Sequence, residues 1–158
     1  MDNTSSETKE VYALVAEVLE KLKMEYVNKE DNLSIVTSVK GNLMIPVHIL
    51  VSEQSHLVGF SAYAPFGVPE ERRTHIALAI AKANMKSLDG CFEYNAADGS
   101  LLFYSTAYYK GCEVQSGLIE YKILSVCSAM NKYAATFKKI CDEDMTEQNA
   151  VKLVDEVK

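Results

Sequence analysis

Apolar residues recur at helical spacing in the first part of the chain and then switch to strict alternation. Between Ser5 and Met24, Val11, Leu14, Val15, Val18 and Leu22 fall three and four residues apart, forming one helical stripe with charges on the other side. From Leu33 the period is two. Leu33, Ile35 and Val39, then Leu43, Ile45, Val47, Ile49 and Val51, then Val58, Phe60 and Ala62 predict a three-strand meander with one apolar face. A three-residue loop at Lys40-Gly41-Asn42 pairs Val39 with Leu43 and Ile35 with Val47, which keeps the apolar sets together. A four-residue loop from Ser52 to Ser55 sets Ile49 against Val58 and Val47 against Phe60. Pro46 has no N–H to give to a ladder, so it belongs at a sheet edge or a bulge.

The Pro- and Gly-containing stretch from Ala64 to Pro69 reads as a crossover loop. Pro69, Glu70 and Glu71 suit the start of a helix that runs to about Lys86, turns Ile76, Ile80 and Ala83 inward and stops at Asp89-Gly90. Asp98-Gly99 then lies between two apolar-rich strands and predicts a two-residue hairpin turn, pairing Tyr94 with Phe103 and Phe92 with Ser105. The expected core side is Phe92, Tyr94, Leu101, Phe103 and Ala107. The opposite side is Cys91, Glu93, Asn95, Leu102, Tyr104, Thr106 and Tyr108. From Ser116 to Cys141, Ile119, Ile123, Val126, Met130, Tyr133, Phe137 and Ile140 step by four and three along one long helix, lying on the sheet or shared with a second subunit. Asp142-Glu143-Asp144 sits at the wrong end of the helix dipole, so the end is expected to fray. Met145 to Lys158 reads as a terminal helix through Val151, Leu153, Val154 and Val157, or as a mobile tail. The expected fold class is α+β, in the order α-β-β-β-α-β-β-α, an antiparallel sheet packed with helices. One domain is expected over residues 1–145, with the helix or tail over 146–158.

Composition changes this picture mainly by exclusion. The formal charge is −6 and the only basic doublets are Arg72-Arg73 and Lys138-Lys139, so no nucleic-acid partner is expected. No window reaches the ~20 apolar residues of a membrane span, and the start MDNTSSETKEVY lacks the basic and apolar parts of a secretory signal. A cytoplasmic setting is expected. Cys91, Cys112, Cys127 and Cys141 show no C-x-x-C spacing, which fits reduced thiols rather than disulfides or zinc. His48, His56 and His75 fall on a strand, a hairpin loop and a helix, without the spacing of a metal site. Cys112 is the one thiol expected near solvent, and its neighbour Glu113 opposes activation. No nucleophile elbow, phosphate loop, dinucleotide fingerprint or calcium loop occurs. Neither enzymatic activity, a catalytic residue, a metal nor a cofactor is expected.

Tyrosine distribution carries more. Met44, Leu50, Leu57 and Tyr63 share the outer face of the meander, and Leu102, Tyr104 and Tyr108 share the outer face of the hairpin. Tyr and Met are enriched at protein interfaces because they bury large areas while tolerating partial wetting. These seven residues either bind a partner or lie beneath the long last helix. The leading expectation is a non-catalytic protein that binds a polypeptide partner. The alternative is a small-molecule binder or enzyme of unrecognised type, with a sheet–helix pocket that has His48 or Cys112 at its rim.

The element order, with Asn84 near the end of the second helix, Phe92-Glu93, the Asp98-Gly99 turn, Gly111 and Tyr133 in the last helix, resembles the YbjN-like family, whose fold is that of the class I type III secretion chaperones. The stretch LVSEQSHLVGFSAYAPFGVPEERR resembles the family's third strand, loop and acidic helix start. The likeness covers about Val11 to Cys141. The Ala64–Pro69 loop, with Phe66 and two prolines, departs from the family pattern, and the segment after Cys141 has no counterpart in it. The resemblance implies a small cytoplasmic homodimer, a chaperone-like or regulatory protein of the sensory-transduction-regulator type, and supplies no catalytic residue.

Overall fold

Ser5 opens the first helix by accepting the Thr8 N–H on its hydroxyl, an N-cap worth about 1 kcal/mol. Helix α1 (Ser6–Lys21) buries Val11, Val15, Val18 and Leu19. The computed structural model, which describes residues 4–157, continues with strands β1 (Tyr26–Lys29), β2 (Ser34–Lys40), β3 (Met44–Ser52) and β4 (Leu57–Tyr63). Helix α2 (Arg73–Asn84), strands β5 (Cys91–Tyr94) and β6 (Leu101–Tyr108), and helices α3 (Ser116–Asp142) and α4 (Glu147–Asp155) complete it. The strands form one antiparallel sheet in the order β1-β2-β3-β4-β6-β5. The fold class is α+β, as expected, with one added element. The stretch YVNK shows no clean alternation and was not foreseen as a strand. It becomes β1 because the chain reverses at Leu33, whose φ is 50°, and brings Tyr26 opposite Thr37. The Thr37 hydroxyl donates to the Glu25 carbonyl at 2.6 Å.

Every hairpin register differs from the expected one by two residues. Ile35 pairs with Ile49 and Val39 with Ile45; Ile49 pairs with Phe60 and Val51 with Val58; Phe92 pairs with Phe103 and Tyr94 with Leu101. An even shift leaves each side chain on its expected face, which is why alternation located the core while misplacing the partners. The turns explain the shift. The first is Gly41-Asn42-Leu43, closed by Gly41 N–H to the Leu43 carbonyl at 3.0 Å and held to α3 by Asn42 N–H on Asn131 Oδ1 at 2.9 Å. The second spans Glu53 to His56, with Ser52 Oγ accepting the Ser55 N–H. In the third, Asn95 N–H reaches the Ser100 carbonyl, Asn95 Oδ1 takes the Ala97 N–H and Asp98 Oδ1 takes the Ser100 N–H. Only Gly99 there has positive φ, 75°, whereas a two-residue type I′ turn needs two such residues.

The inner face of the sheet is covered. Ile35, Ile45, Val47, Ile49, Phe60, Leu101 and Phe103 are buried beneath α1 and α3, and α3 contributes the whole predicted stripe from Ile119 to Ile140. Pro46 lies one residue beyond the last β3–β4 pair, Val47 with Ala62, which matches its edge requirement. The Ala64–Pro69 loop follows the start of β6 through Ala64 N–H to Leu101 O and Val68 N–H to Gly99 O. A single 3-10 turn (Glu70–Arg72) precedes α2, which buries Ile76, Ala79 and Ala83; Ile80, expected inward, is only half-buried. Helix α3 ends at Asp142, where its acids meet cations: Lys138 with Asp142 at 2.8 Å and Arg72 with Asp144 at 3.0 Å. Helix α4 is capped by Thr146 and buries Ala150 and Val154 beside α2. His75 Nε2 lies 2.9 Å from the Met145 carbonyl, and Asp155 pairs with Lys82 and Lys86. Lys158, the expected end of this helix, lies outside the described residues.

Candidate functional site: an uncovered sheet face

Among the described residues, all four α-helices leave the other face of the sheet bare. The strand alternation delivers Val27 from β1, Val36 from β2, Met44, Pro46, His48 and Leu50 from β3, and Leu57, Ser61 and Tyr63 from β4 to this side. From β6 it delivers Leu102, Tyr104, Thr106 and Tyr108. All seven residues expected to form a partner surface therefore share one face. Met44 is 54%, Leu50 49% and Tyr108 54% exposed; Leu57, Tyr63, Leu102 and Tyr104 are half-buried. The reading that α3 covers them is overturned, because α3 packs on the inner face. Sequence reasoning missed Val27, 62% exposed on this side, because the strand that carries it was not recognised.

Charge is confined to the margins of this face. Lys29 lies on β1 at one edge, Glu93 on β5 at the other and Lys40 at the end of β2; between them no Asp, Glu, Lys or Arg occupies an outward position on β2, β3, β4 or β6. A merely solvated strand face alternates in polar and charged residues, whereas interface centres are depleted of charge and enriched in aromatics and Met.

The aromatic rings lie along the sheet. Tyr104 crosses Gly59, and a Cβ at position 59 would meet its hydroxyl at 3.0 Å and its ring at 3.2 Å, so the glycine makes the ring's bed. Burial, then the nearby Glu93 charge, raises the Tyr104 hydroxyl above its ordinary value, so it stays a neutral donor. His48 packs against Tyr63 with ring centroids 5.0 Å apart. Partial burial, then the Lys29 charge, holds its imidazole below the ordinary value and favours the neutral ring. His48 pairs with Ser61, not Gly59 as the expected register required.

Catalytic geometry does not assemble around the other candidates. His48 and Cys112 do not line the cleft between α2, α3 and the β5–β6 hairpin. Cys112 is exposed as expected, its thiol near the Lys110 carbonyl at 3.6 Å. Cys127 and Cys141 are buried, and burial pushes both thiols up to about 11, away from reactivity. His56 faces Lys110 Nζ at 3.3 Å. No group of three His, Cys, Asp or Glu among the described residues is placed to hold a metal. No helix among them is long and apolar enough to cross a membrane.

One polar cluster escaped the sequence reading. Lys122 interrupts the α3 stripe between Ile119 and Ile123 yet is 8% exposed. Its Nζ donates to Asp89 Oδ1 at 2.6 Å and to Ser105 Oγ at 2.9 Å, and Ser105 Oγ donates to Asp89 at 3.1 Å. The bond from Lys122 holds the Asp89 carboxyl below its ordinary value against the opposing effect of burial. A lysine on the predicted buried stripe was the available signal.

No family model matches the sequence, and no curated protein sequence does. Solved structures do resemble the fold. A chain in the crystal structure of the ExsC–ExsE complex superposes with a TM-score of 0.59 at 13% identity, covering 81% of this chain and 93% of that one. YbjN from E. coli superposes with a TM-score of 0.58 at 11% identity, covering 77% and 87%. The Yersinia pestis type III secretion chaperone SycH, solved with a fragment of YscM2, covers 79% and 98% at 16% identity and a TM-score of 0.49. The fold is shared with YbjN and with that chain of the ExsC–ExsE complex, as the YbjN-like resemblance implied.

Proposed function

We propose that this protein is a non-catalytic, cytoplasmic binding protein of chaperone-like or regulatory type, which pairs with a second copy and receives a polypeptide partner on its uncovered sheet face. The observation that carries the reading is the outer surface of β2, β3, β4 and β6, free of charge except for Lys40 at the end of β2, with Tyr63, Tyr104, Tyr108, Leu50, Leu57, Leu102 and Met44 on one side of one sheet. Half-exposed apolar and tyrosine side chains on a rigid strand frame lose little further conformational entropy on binding, and their apolar area contributes roughly 25 cal/mol per Å² removed from water. The ExsC structure is one of a complex with ExsE, and its shared architecture supports a protein partner for this chain.

The test combines sedimentation equilibrium with capture of partners from native cells. Leu102→Glu and Tyr104→Glu place a carboxylate at the centre of the face without touching the inner core. The reading expects a dimer for the unchanged protein and loss of a specific captured polypeptide for both variants. A monomer whose captured proteins are the same with and without the substitutions contradicts it.

A further inference from the structure

On the helical side of the molecule, away from the uncovered sheet face, a cleft of about 470 Å³ opens between the end of α2, the β5–β6 hairpin and α3. That volume falls in the ~300–1,000 Å³ range of small-molecule sites. Its base is aromatic: Phe92 meets Phe103 edge-on at 4.9 Å and Tyr133 at 5.3 Å. Its lip is apolar and unusually bare, with Leu88 fully exposed and Leu124 49% exposed.

Its charges are unequal. The one carboxylate on its lining is Asp89, and that group is already held by Lys122 and Ser105 from below. Of the two lysines on the rim, Lys86 turns to Asp155 at 3.5 Å and to the Val154 and Asp155 carbonyls. Among the described residues Lys132 meets no carboxylate; its ammonium lies 5.5 Å from the centre of the Tyr133 ring. Ser128 and Ser125 line the α3 wall one and two turns before it. A cation entering the cleft would find its only carboxylate engaged, and a neutral guest would leave the Lys132 charge unused. An anion meets both needs, in a protein whose formal charge is −6 overall.

We propose that this cleft binds a small amphipathic organic anion, its apolar body between Leu88, Leu124 and the Phe92–Phe103–Tyr133 base and its acid group beside Lys132 and Ser128. The Asp89–Lys122–Ser105 cluster is then a positioning device. It ties the α2–β5 loop to α3 and β6 and fixes the width of the opening.

Titrating decanoate into isotope-labelled protein, followed by amide chemical shifts, tests this directly, with decanol and decyltrimethylammonium as the neutral and cationic counterparts. Saturable shifts confined to residues around Leu88, Phe92 and Ser128 are expected for decanoate, with about tenfold weaker binding of the other two, the worth of one charge-assisted hydrogen bond. Lys132→Glu, on an exposed helix position, should weaken decanoate binding by tenfold or more. Ser125→Trp should occlude the cleft, and Tyr104→Glu, on the opposite face, should leave decanoate binding unchanged. Equal binding of the three amphiphiles, no saturable binding of decanoate, shifts centred on the outer sheet face, or full affinity in Lys132→Glu would each overturn the assignment. Should Ser125→Trp fail to fold by circular dichroism, the Lys132→Glu and amphiphile comparisons decide the matter. Because the outer-face variants leave this site untouched, failure here is distinguishable from failure of the polypeptide-binding reading.

Discussion

The two faces of the sheet are built from the same strands and the same alternation, yet they live in different solvents. Ile35, Ile49 and Phe60, adjacent across β2, β3 and β4 on the inner face, are at most 1% exposed under α1 and α3. Their alternates one residue away, Val36, His48 and Ser61, face outward with no helix above them. Alternation decides which residues share a face, and only the helices decide which face becomes the core. An outer face relieved of helix cover would ordinarily fill with charge; this one keeps Leu, Met and Tyr in its middle and sends its charges to the edges.

The comparison breaks most sharply at the inner face. Phe137 is fully buried, 5.0 Å from the Phe92 ring and stacked on Tyr133 at 5.8 Å. Phe137→Ala should cost about 3–5 kcal/mol in urea unfolding, from lost transfer energy plus the cavity left behind. Asp89→Asn should cost less, about 1–3 kcal/mol, because it weakens the partner of a buried ammonium while position 89 itself remains a third exposed. Its pH dependence identifies it. The Asp89 carboxyl lies below its ordinary 3.8 in the folded protein, so its stabilisation is present above that value and is lost as pH falls through the lower folded value. The stability gap between wild type and Asp89→Asn should therefore close on acidification below about pH 4.

Asn84→Ala comes next. The Asn84 amide donates to the Phe92 carbonyl at 3.1 Å and accepts the Phe92 N–H at 2.7 Å, standing in for a missing neighbour of edge strand β5. Losing both bonds should cost roughly 1–2 kcal/mol and speed hydrogen exchange at the Phe92 amide first. The smallest stability effect belongs to the outer face. Leu102→Glu and Tyr108→Glu should change unfolding free energy by no more than about 0.5 kcal/mol, while abolishing partner capture.

The sequence made the faces legible and left the edges obscure. The period-two runs identified Ile45, Val47, Ile49, Phe60 and Phe103 as core, and the four-three stripe anticipated the large buried side chains of α3 from Ile119 to Ile140, though not the buried Ala134 beside them. Registers were missed by two residues because alternation is blind to even shifts, and because the Asn95 and Asp98 side chains build a longer turn than the dipeptide Asp98-Gly99 suggests. Strand β1 was invisible because it sits at an edge with three of its four residues exposed, so no buried face imposes a pattern. Of the candidate surface, the seven residues read from alternation share a face as expected. The Lys122–Asp89 pair was hidden because the two residues meet only through the packing of α3 against the α2–β5 loop.

The most direct measurement is photo-crosslinking in the native cell, with a benzophenone side chain at position 104 on the uncovered face and, for comparison, at position 17 on the exposed side of α1. A polypeptide covalently trapped from position 104 and absent from position 17 is the result this account predicts. Equal trapping from both positions, or none from 104 in a protein that remains folded, would contradict it.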